Sequence, residues 1–359
     1  MIESGENKKC YINGLGCISA QNTHDNSFFD HIINYENEAV LPVVKPNYKD
    51  FISPGAIRRM SSAVKNGIVA SKLALKEAGV TTPDAIITGT GMGCMQDSEK
   101  FLKNIIDNQE DFLTPTSFIQ STHNTVAGQI ALDLKCKSYN FNYVNSSVSF
   151  ESSLLDALLQ LKTGQSDKVL LGGVDEQAEH TIKLNKLIHF IKTDKTVNHY
   201  ILNQRSKGAV FGQGAAFFLA ENEKKENTYC ELKDILFTNR LENDEFNKFI
   251  SDFLAQNKIN KTDIDLVLLG NNGDIDFDHY YDLASDYFKN SQQLYFKHLF
   301  GEFMTVSGVG FWLLSKIMKG NKIPEELKYN TITPKKINYA LIYNQYRGKD
   351  HSLTLLKNV

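Results

Sequence analysis

One segment, residues 138–175, constrains the fold of this chain more than any other part of the sequence. From Tyr139 to Tyr143, aromatic residues alternate with asparagines, and this period of two predicts a β-strand. Apolar residues then recur at spacings of three and four from Phe150 to Leu161, which predicts a helix ending at Gly164. The apolar run at 168–171 predicts a buried strand that stops at the two glycines 172 and 173. The segment is therefore predicted to be a strand, a turn, a helix and a strand.

The turn of this segment, residues 145–147, presents Ser147 at the start of the predicted helix. A helix N-terminus offers unpaired backbone N–H groups and the positive end of the helix dipole. Such a position suits a nucleophile, or an oxygen anion beside one. Ser147 is therefore the first candidate site residue.

The rest of the chain also alternates apolar runs with helical patterns, which predicts an α/β fold. Further strands are predicted at 11–15, 84–89, 229–236, 264–269, 339–343 and 352–356, and further helices at 58–79, 124–134, 245–256 and within 297–318. The polar run 221–227 is the best candidate for a boundary. We expect two similar halves, residues 1–221 and 222–359.

Composition excludes several classes of protein. Apolar residues make up 42% and charged residues 23%, as in a soluble globular protein, and a net charge of −3 gives no sign of a nucleic-acid partner. The first residues lack the apolar stretch of a signal peptide, and no run approaches the roughly 18 apolar residues of a membrane helix. We therefore expect a cytoplasmic protein without a membrane span.

The five cysteines show no metal-ligand spacing. They are Cys10, Cys17, Cys94, Cys136 and Cys230. We expect reduced and mostly buried thiols, and we expect neither a metal nor a cofactor.

Six motifs in a fixed order suggest a family. They are YINGLG at the first strand, RRMSSAVKNGIVASKLALKEAG, TGTGMGCMQD, LTPTSFIQSTHNTVAGQIALDL, the spacing of Ser147 to Gly164 and to Gly172-Gly173, and RSKGAVFGQGAAFFLAE. In these motifs the chain resembles the β-ketoacyl-acyl-carrier-protein synthases of the thiolase fold over nearly its whole length. The resemblance implies a five-layer αβαβα fold built from two similar halves.

The resemblance also shows where the chain departs from that family. According to the resemblance, Ser147 stands where the family has its nucleophilic cysteine. Asn272 and Glu302 stand where the family has its two catalytic histidines, and the family lysine is retained as Lys297. The family's Gly-Phe-Gly-Gly gating loop becomes the run Tyr-Arg-Gly-Lys at 346–349. Condensation needs a thiolate nucleophile and imidazoles that stabilise developing charge. The resemblance therefore implies that no intact catalytic set remains.

Two interpretations of Ser147 stay open. In the first, which we favour, serine is a small residue that caps the helix and fills the space of the cysteine. In the second, Ser147 is a nucleophile with Glu302 as its base and Asn272 in an oxyanion hole. For Lys297 and Glu302 we expect a structural ion pair. We expect the neighbouring His298 to lie at the surface or in a loop.

A degenerate synthase suggests a partner subunit. In type II polyketide and polyene systems, a subunit without the cysteine, the chain-length factor, pairs with an active ketosynthase, although many of these carry Gln where this chain has Ser147. The resemblance thus implies a heterodimer with a cysteine-bearing ketosynthase, or a homodimer, formed along the strand from Tyr139 to Val144.

The resemblance has two further consequences for function. Arg58 and Arg59 are candidates for docking an acidic acyl carrier protein, the alternative being a pair of solvated surface charges. The competing function is a Ser147-dependent acyltransferase, hydrolase or decarboxylase that acts on carrier-bound substrates.

Overall fold

The computed structural model describes residues 8–113, 115–193 and 201–359, so the expectation about the first seven residues lies outside the described residues. The strands are β1 (Cys10–Ile18), β2 (Ala85–Gly89), β3 (Tyr139–Tyr143), β4 (Lys168–Asp175), β5 (Gly214–Glu221), β6 (Cys230–Thr238), β7 (Leu266–Leu269), β8 (Gln292–Tyr295), β9 (Tyr339–Tyr346) and β10 (Lys349–Lys357). The helices are α1 (Pro54–Ile57), α2 (Ser62–Ala78), α3 (Met95–Asp107), α4 (Pro115–Ser121), α5 (Thr125–Asp133), α6 (Ser149–Thr163), α7 (Glu179–Leu187), α8 (Phe246–Gln256), α9 (His279–Tyr287), α10 (Lys297–Phe300) and α11 (Ser307–Met318).

The strands form one sheet whose two halves have the same topology. Its order is β3-β2-β4-β5-β1-β6-β10-β9-β7-β8. In the first half, β2 pairs in parallel with β3 and β4, and β5 pairs antiparallel with β4 and β1. In the second half, β7 pairs in parallel with β8 and β9, and β10 pairs antiparallel with β9 and β6. The halves join where residues 10–12 of β1 pair with residues 230–232 of β6.

Three apolar clusters show how helices cover this sheet. One cluster joins α2 and α5 to the outer face of the first half, and another joins α8 and α9 to the outer face of the second half. The largest cluster holds α6 and α11 between the two halves. Each half of the sheet thus forms one layer. The layers follow the order helix, half-sheet, helix, half-sheet, helix, which is the predicted αβαβα arrangement. The domain boundary at 221/222 stays a prediction, although β5 ends at Glu221 and β6 begins at Cys230.

Two local predictions are wrong at their boundaries. The helix predicted from residue 58 begins instead at Ser62, because the Ser61 hydroxyl accepts from the backbone N–H of Val64 and so caps the helix there. Strand β4 does not stop at Gly172 but continues to Asp175. The neighbouring strand lies so close to Gly172 that a Cβ there would be 2.5 Å from the backbone oxygen of Ala216. The two glycines therefore allow a close approach of backbones and do not end the strand.

Strand β3 forms one edge of the sheet, where it pairs with β2 alone. Its burial pattern is exposed over the first three residues and intermediate over the last two. The aromatic rings of Tyr139 and Phe141 stack with centroids 6.2 Å apart. An edge strand with exposed aromatic side chains offers unpaired backbone groups and apolar area to a partner.

Two further expectations concern the cysteines and a membrane span. All five cysteines are free and buried, as predicted. Within the described residues, no helix is long and apolar enough to cross a membrane.

Candidate functional site

Ser147 lies in a 3-10 turn, Ser146–Val148, that leads directly into α6. The backbone of Ser146 has a φ of 50°, a left-handed conformation that few residues other than glycine adopt. The side chain of Ser147 is 2% exposed, and its hydroxyl donates to Oδ2 of Asp350 over 2.8 Å. Ser147, which the resemblance places at the nucleophile position, is therefore buried and already hydrogen-bonded within the chain.

The predicted capping role of Ser147 is wrong. The N-cap of α6 is Val148, which has no side-chain cap. Ser149 secures the turn instead, because its hydroxyl accepts from the N–H of Asn145 over 2.8 Å and donates to the carbonyl of Ser146 over 2.7 Å. The hydroxyl of Ser147 is thus free of the helix and can bind Asp350, a residue that the sequence analysis did not single out.

The carboxylate of Asp350 is held from a second side by Asn239. Its Oδ1 accepts from Nδ2 of Asn239 over 2.7 Å, and its backbone N–H donates to the carbonyl of Asn239 over 3.0 Å. The register of the β9–β10 pair shifts between Lys349 and Ser352, and Asp350 has a φ of 53°. A β-bulge of this kind re-aims a side chain, which accounts for a carboxylate that points from β10 into the site.

Asn272, which the resemblance places at a family histidine position, lies in the loop after β7. Its Oδ1 accepts from the N–H of Asp274 over 3.1 Å, and its Nδ2 donates to Oε2 of Glu302 over 2.7 Å. The bond from the backbone N–H fixes the orientation of the amide, since only its oxygen can accept. The donor of Asn272 is therefore directed at Glu302.

The loop that carries Asn272 is fixed by Asp278. The two carboxylate oxygens of Asp278 accept from the backbone N–H groups of Asn272, over 3.2 Å, and Gly273, over 2.9 Å. Burial raises the pKa of Asp278 to about 6, and the bond from Asn272 and the guanidinium of Arg205 oppose this rise. The position of Asn272 is consequently set by backbone contacts as well as by its own amide.

Glu302 and Lys297 form the predicted ion pair. Nζ of Lys297 lies 2.7 Å from Oε2 of Glu302, and the two residues are 1% and 2% exposed. The same carboxylate oxygen also accepts from Asn272. Charged groups this far from solvent are stable only when they are paired and hydrogen-bonded. Asn272, Lys297 and Glu302, which we call the buried triad, therefore depend on one another.

This arrangement separates Ser147 from the base proposed for it. Within the described residues, the hydroxyl of Ser147 donates to Asp350, while the carboxylate of Glu302 is bonded to Lys297 and Asn272. One of the two N–H groups of the Asn272 amide is held by this carboxylate, and the negative charge of the carboxylate would repel an oxyanion beside the amide. The triad of Ser147, Glu302 and Asn272 as nucleophile, base and oxyanion donor is not assembled in this structure.

The expectation for His298 is wrong, because this side chain is fully buried. Its Nε2 lies 2.9 Å from the carbonyl of Glu326, and its ring stacks on Tyr295 with centroids 4.0 Å apart. The residue lies in α10 beside Lys297, and α10 is itself buried. Its contacts are those of a packed core residue.

Glu151 is a buried acid that the sequence analysis missed. It lies one turn beyond Ser147 in α6, and its Oε1 accepts from the hydroxyl of Ser352 over 3.0 Å. Burial raises the pKa of Glu151 to about 7, against opposing contributions from nearby hydroxyls and from Lys297. A charged residue at an otherwise apolar or small helix position was the signal in the sequence.

Substituting Glu151 by glutamine is expected to change how stability depends on pH. From the ordinary pKa of 4.5 up to about 7, the folded state holds a proton that the unfolded state has lost. The free energy of unfolding of the parent protein therefore falls over this range, relative to Glu151→Gln, by about 3 kcal/mol. Urea unfolding at several pH values measures this difference, with the exposed Glu223→Gln as the control for loss of one charge. A difference that does not vary with pH would contradict the expectation.

The candidate docking arginines lie apart from this site. Arg58 and Arg59 are exposed in the link between α1 and α2. Within the described residues, neither makes an ion pair with an acidic side chain. They are accessible to a partner, and they do not take part in the chemistry around Ser147.

Comparison with known proteins gives a family and a set of similar structures. Residues 46–225, half of the chain, match the family described as "Beta-ketoacyl synthase, N-terminal domain". No curated protein sequence matches the chain significantly.

Among solved structures, the ishigamide ketosynthase/chain length factor is similar with a TM-score of 0.82 at 15% identity, over 99% of this chain and 100% of that chain. A ketosynthase in complex with its chain length factor from Xenorhabdus doucetiae is similar with a TM-score of 0.74 at 12% identity, over 98% of both chains. A β-ketoacyl synthase from Burkholderia phymatum is similar with a TM-score of 0.75 at 16% identity, over 98% of this chain and 100% of that chain. At these identities the likeness concerns the fold.

Proposed function

This chain belongs to the β-ketoacyl synthase family, and we propose that it is a non-catalytic, chain-length-factor-like subunit that pairs with an active, cysteine-bearing ketosynthase. The pair would act in type II fatty acid, polyketide or polyene synthesis. The observation that carries the proposal is the buried triad, in which Glu302 accepts from both Lys297 and Asn272 at the two family histidine positions.

The chemistry of condensation supports this assignment by elimination. The reaction needs donors that can face an oxygen gaining negative charge. Here the amide of Asn272 stands at one histidine position and is bonded to the carboxylate of Glu302, which stands at the other. A carboxylate near that oxygen would repel the developing charge. A serine hydroxyl replaces the thiolate and donates to a second carboxylate, that of Asp350. The chain therefore lacks the thiolate and both of the imidazoles that the parent reaction uses.

The exposed edge of the sheet supports the choice of a partner subunit. Strand β3 leaves one side unpaired, and its aromatic residues are partly exposed. This is the strand along which the family is expected to dimerise, so its exposure fits a chain that is incomplete on its own. The Xenorhabdus doucetiae structure is titled as a ketosynthase with its chain length factor, which gives a precedent for such a pair on this fold.

The proposal is tested by producing the chain with a cysteine-bearing ketosynthase encoded beside it. Size-exclusion chromatography followed by native mass spectrometry gives the composition of the complex. We expect a one-to-one heterodimer that contains one 40.5 kDa chain of this protein. A stable homodimer with no affinity for the ketosynthase would overturn the proposal.

Docking of the acyl carrier protein is expected to involve Arg58 and Arg59. Reversing both charges, R58E and R59E, should weaken binding of the acidic carrier protein about tenfold at low salt, because complementary charges steer and hold such partners. The matched control reverses the exposed basic pair Lys335 and Lys336 in the second half. Binding is measured by fluorescence titration at two salt concentrations. Equal binding by both double variants would remove the arginines from the docking surface.

A further inference from the structure

We propose that the C-terminal β-hairpin is locked across the nucleophile position, so that Ser147 is covered by this hairpin and stays covered. The inference rests on the proposed function, because only a subunit that never takes an acyl group has no need to uncover this position. The closing element is the turn between β9 and β10 together with Asp350, and we call it the hairpin lock.

The turn of the hairpin lock is short and tightly defined. Two residues, Arg347 and Gly348, connect the strands, and their φ angles are 52° and 71°. Two consecutive left-handed residues are typical of the type I′ turn, whose twist matches that of the paired strands. The N–H of Gly348 also donates to Oε1 of Gln345 over 2.7 Å. A turn of this kind has little freedom to swing, in contrast to a glycine-rich gating loop.

The first anchor of the lock is the contact with Ser147. The bulge in β10 directs the carboxylate of Asp350 inward, where Oδ2 accepts from Ser147 and Oδ1 accepts from Asn239. Opening the hairpin would break both bonds and leave a serine and an asparagine without their acceptor.

The second anchor is Arg347 at the tip of the turn. Its guanidinium lies 3.7 Å from the ring centroid of Phe190 and 4.9 Å from that of Phe277, and it is 3.2 Å from Oδ2 of Asp274. A guanidinium held over two aromatic rings and beside a carboxylate is fixed by cation–π attraction and by an ion pair. This contact ties the tip of the hairpin to the loop after β7, which also carries Asn272.

Together the anchors join the segment after α7, which carries Phe190, to three other parts of the chain around Ser147. They are the start of α6, the end of β6 with Asn239, and the loop after β7. Substituting the nucleophile alone would not make this position reachable. A cysteine placed there would be covered by the same hairpin.

The test is the reactivity of a thiol at the nucleophile position in the isolated chain. The variant Ser147→Cys is treated with iodoacetamide, and alkylation of each cysteine is followed by peptide mass spectrometry. The five native cysteines are buried and serve as internal references. We expect Cys at 147 to react at least about 100-fold more slowly than in the urea-unfolded chain, because the closed hairpin limits access. Reaction at the rate of an open thiol would overturn the lock.

A second variant tests the role of Asp350 directly. In the Ser147→Cys background, Asp350→Ala is expected to raise the alkylation rate at position 147 at least tenfold, whereas Asp244→Ala, which removes an exposed aspartate outside the hairpin, is expected to leave it unchanged. Equal rates in both double variants would contradict the assignment of Asp350.

Hydrogen exchange in the unaltered protein keeps the test independent of those variants. The lock predicts strong protection of the backbone amides of Gly348 and Asp350, which donate to Oε1 of Gln345 and to the carbonyl of Asn239, and rapid exchange at both would overturn it. These measurements use the chain alone, so their outcome is separate from the pairing test. A chain that fails to bind a ketosynthase can still have a closed hairpin, and a chain that pairs can still show an open one.

Discussion

Replacing Glu302 by alanine is expected to lower the free energy of unfolding by about 3–5 kcal/mol, the usual cost of removing one partner from a buried ion pair. The ammonium of Lys297 is 1% exposed, and Glu302 is the residue that accepts its hydrogen bond. Alanine would leave this charge in the interior without a counter-charge. The amide of Asn272 would lose its acceptor as well. Urea unfolding followed by circular dichroism at pH 7 measures the effect.

Two further variants separate the charge from the shape of the site. Glu302→Gln keeps the size and one acceptor but removes the negative charge, and we expect it to lose less stability than alanine. The double variant Lys297→Met with Glu302→Leu removes both charges, and it should stay within about 1–3 kcal/mol of the parent, the cost of the one unpaired amide. An alanine variant as stable as the parent would show that the buried triad does not hold this part of the fold together.

Replacing Phe141 by aspartate is expected to weaken pairing with the ketosynthase at least about 30-fold, since aromatic residues at the centre of an interface often contribute 2 kcal/mol or more, which is about 30-fold in affinity. Phe141 lies in the middle of the edge strand, is 45% exposed, and contacts Tyr143 with ring centroids 4.9 Å apart. A carboxylate here would have to be buried against the partner. The fold itself should tolerate the change because the side chain is already half in solvent.

The matched control for this substitution is Ile275→Asp. Ile275 is 55% exposed and lies in the loop after β7, in the second half of the chain. Affinity is measured by titrating labelled ketosynthase with each variant, and circular dichroism checks that the variants remain folded. If Phe141→Asp binds as tightly as Ile275→Asp, the edge strand is not the pairing surface.

The elements around Ser147 were predictable because their signals are local. The alternation in β3 and the three-and-four spacing in α6 require only neighbouring residues, and Gly164 ends the helix in the left-handed conformation, with a φ of 72°. The ion pair of Lys297 and Glu302 was predicted from the family resemblance, which retains the lysine and places Glu302 at a histidine position five residues later. Glycines 172 and 173 misled the prediction because the strand needs them for close packing and continues through them.

The remaining contacts of the site depend on residues far apart in the sequence. Ser147 and Asp350 are separated by 203 positions, and the bulge that aims Asp350 exists only once β9 and β10 have paired. The sequence shows Glu151 as a charged residue among apolar and small helix positions, but its raised pKa arises from burial, which depends on the packing of the two halves. The sequence predicts a surface or loop position for His298 because the polarity of the residue is visible in the sequence while its packing against Tyr295 is not.

The central claim is that this chain supports a partner's active site and does not carry an acyl group itself. The measurement that tests it most directly is the intact mass of both subunits, taken from the heterodimer during turnover with acyl-loaded carrier protein. The account predicts an acyl adduct on the cysteine of the ketosynthase and an unmodified mass for this chain. An acyl group recovered on Ser147 would contradict it.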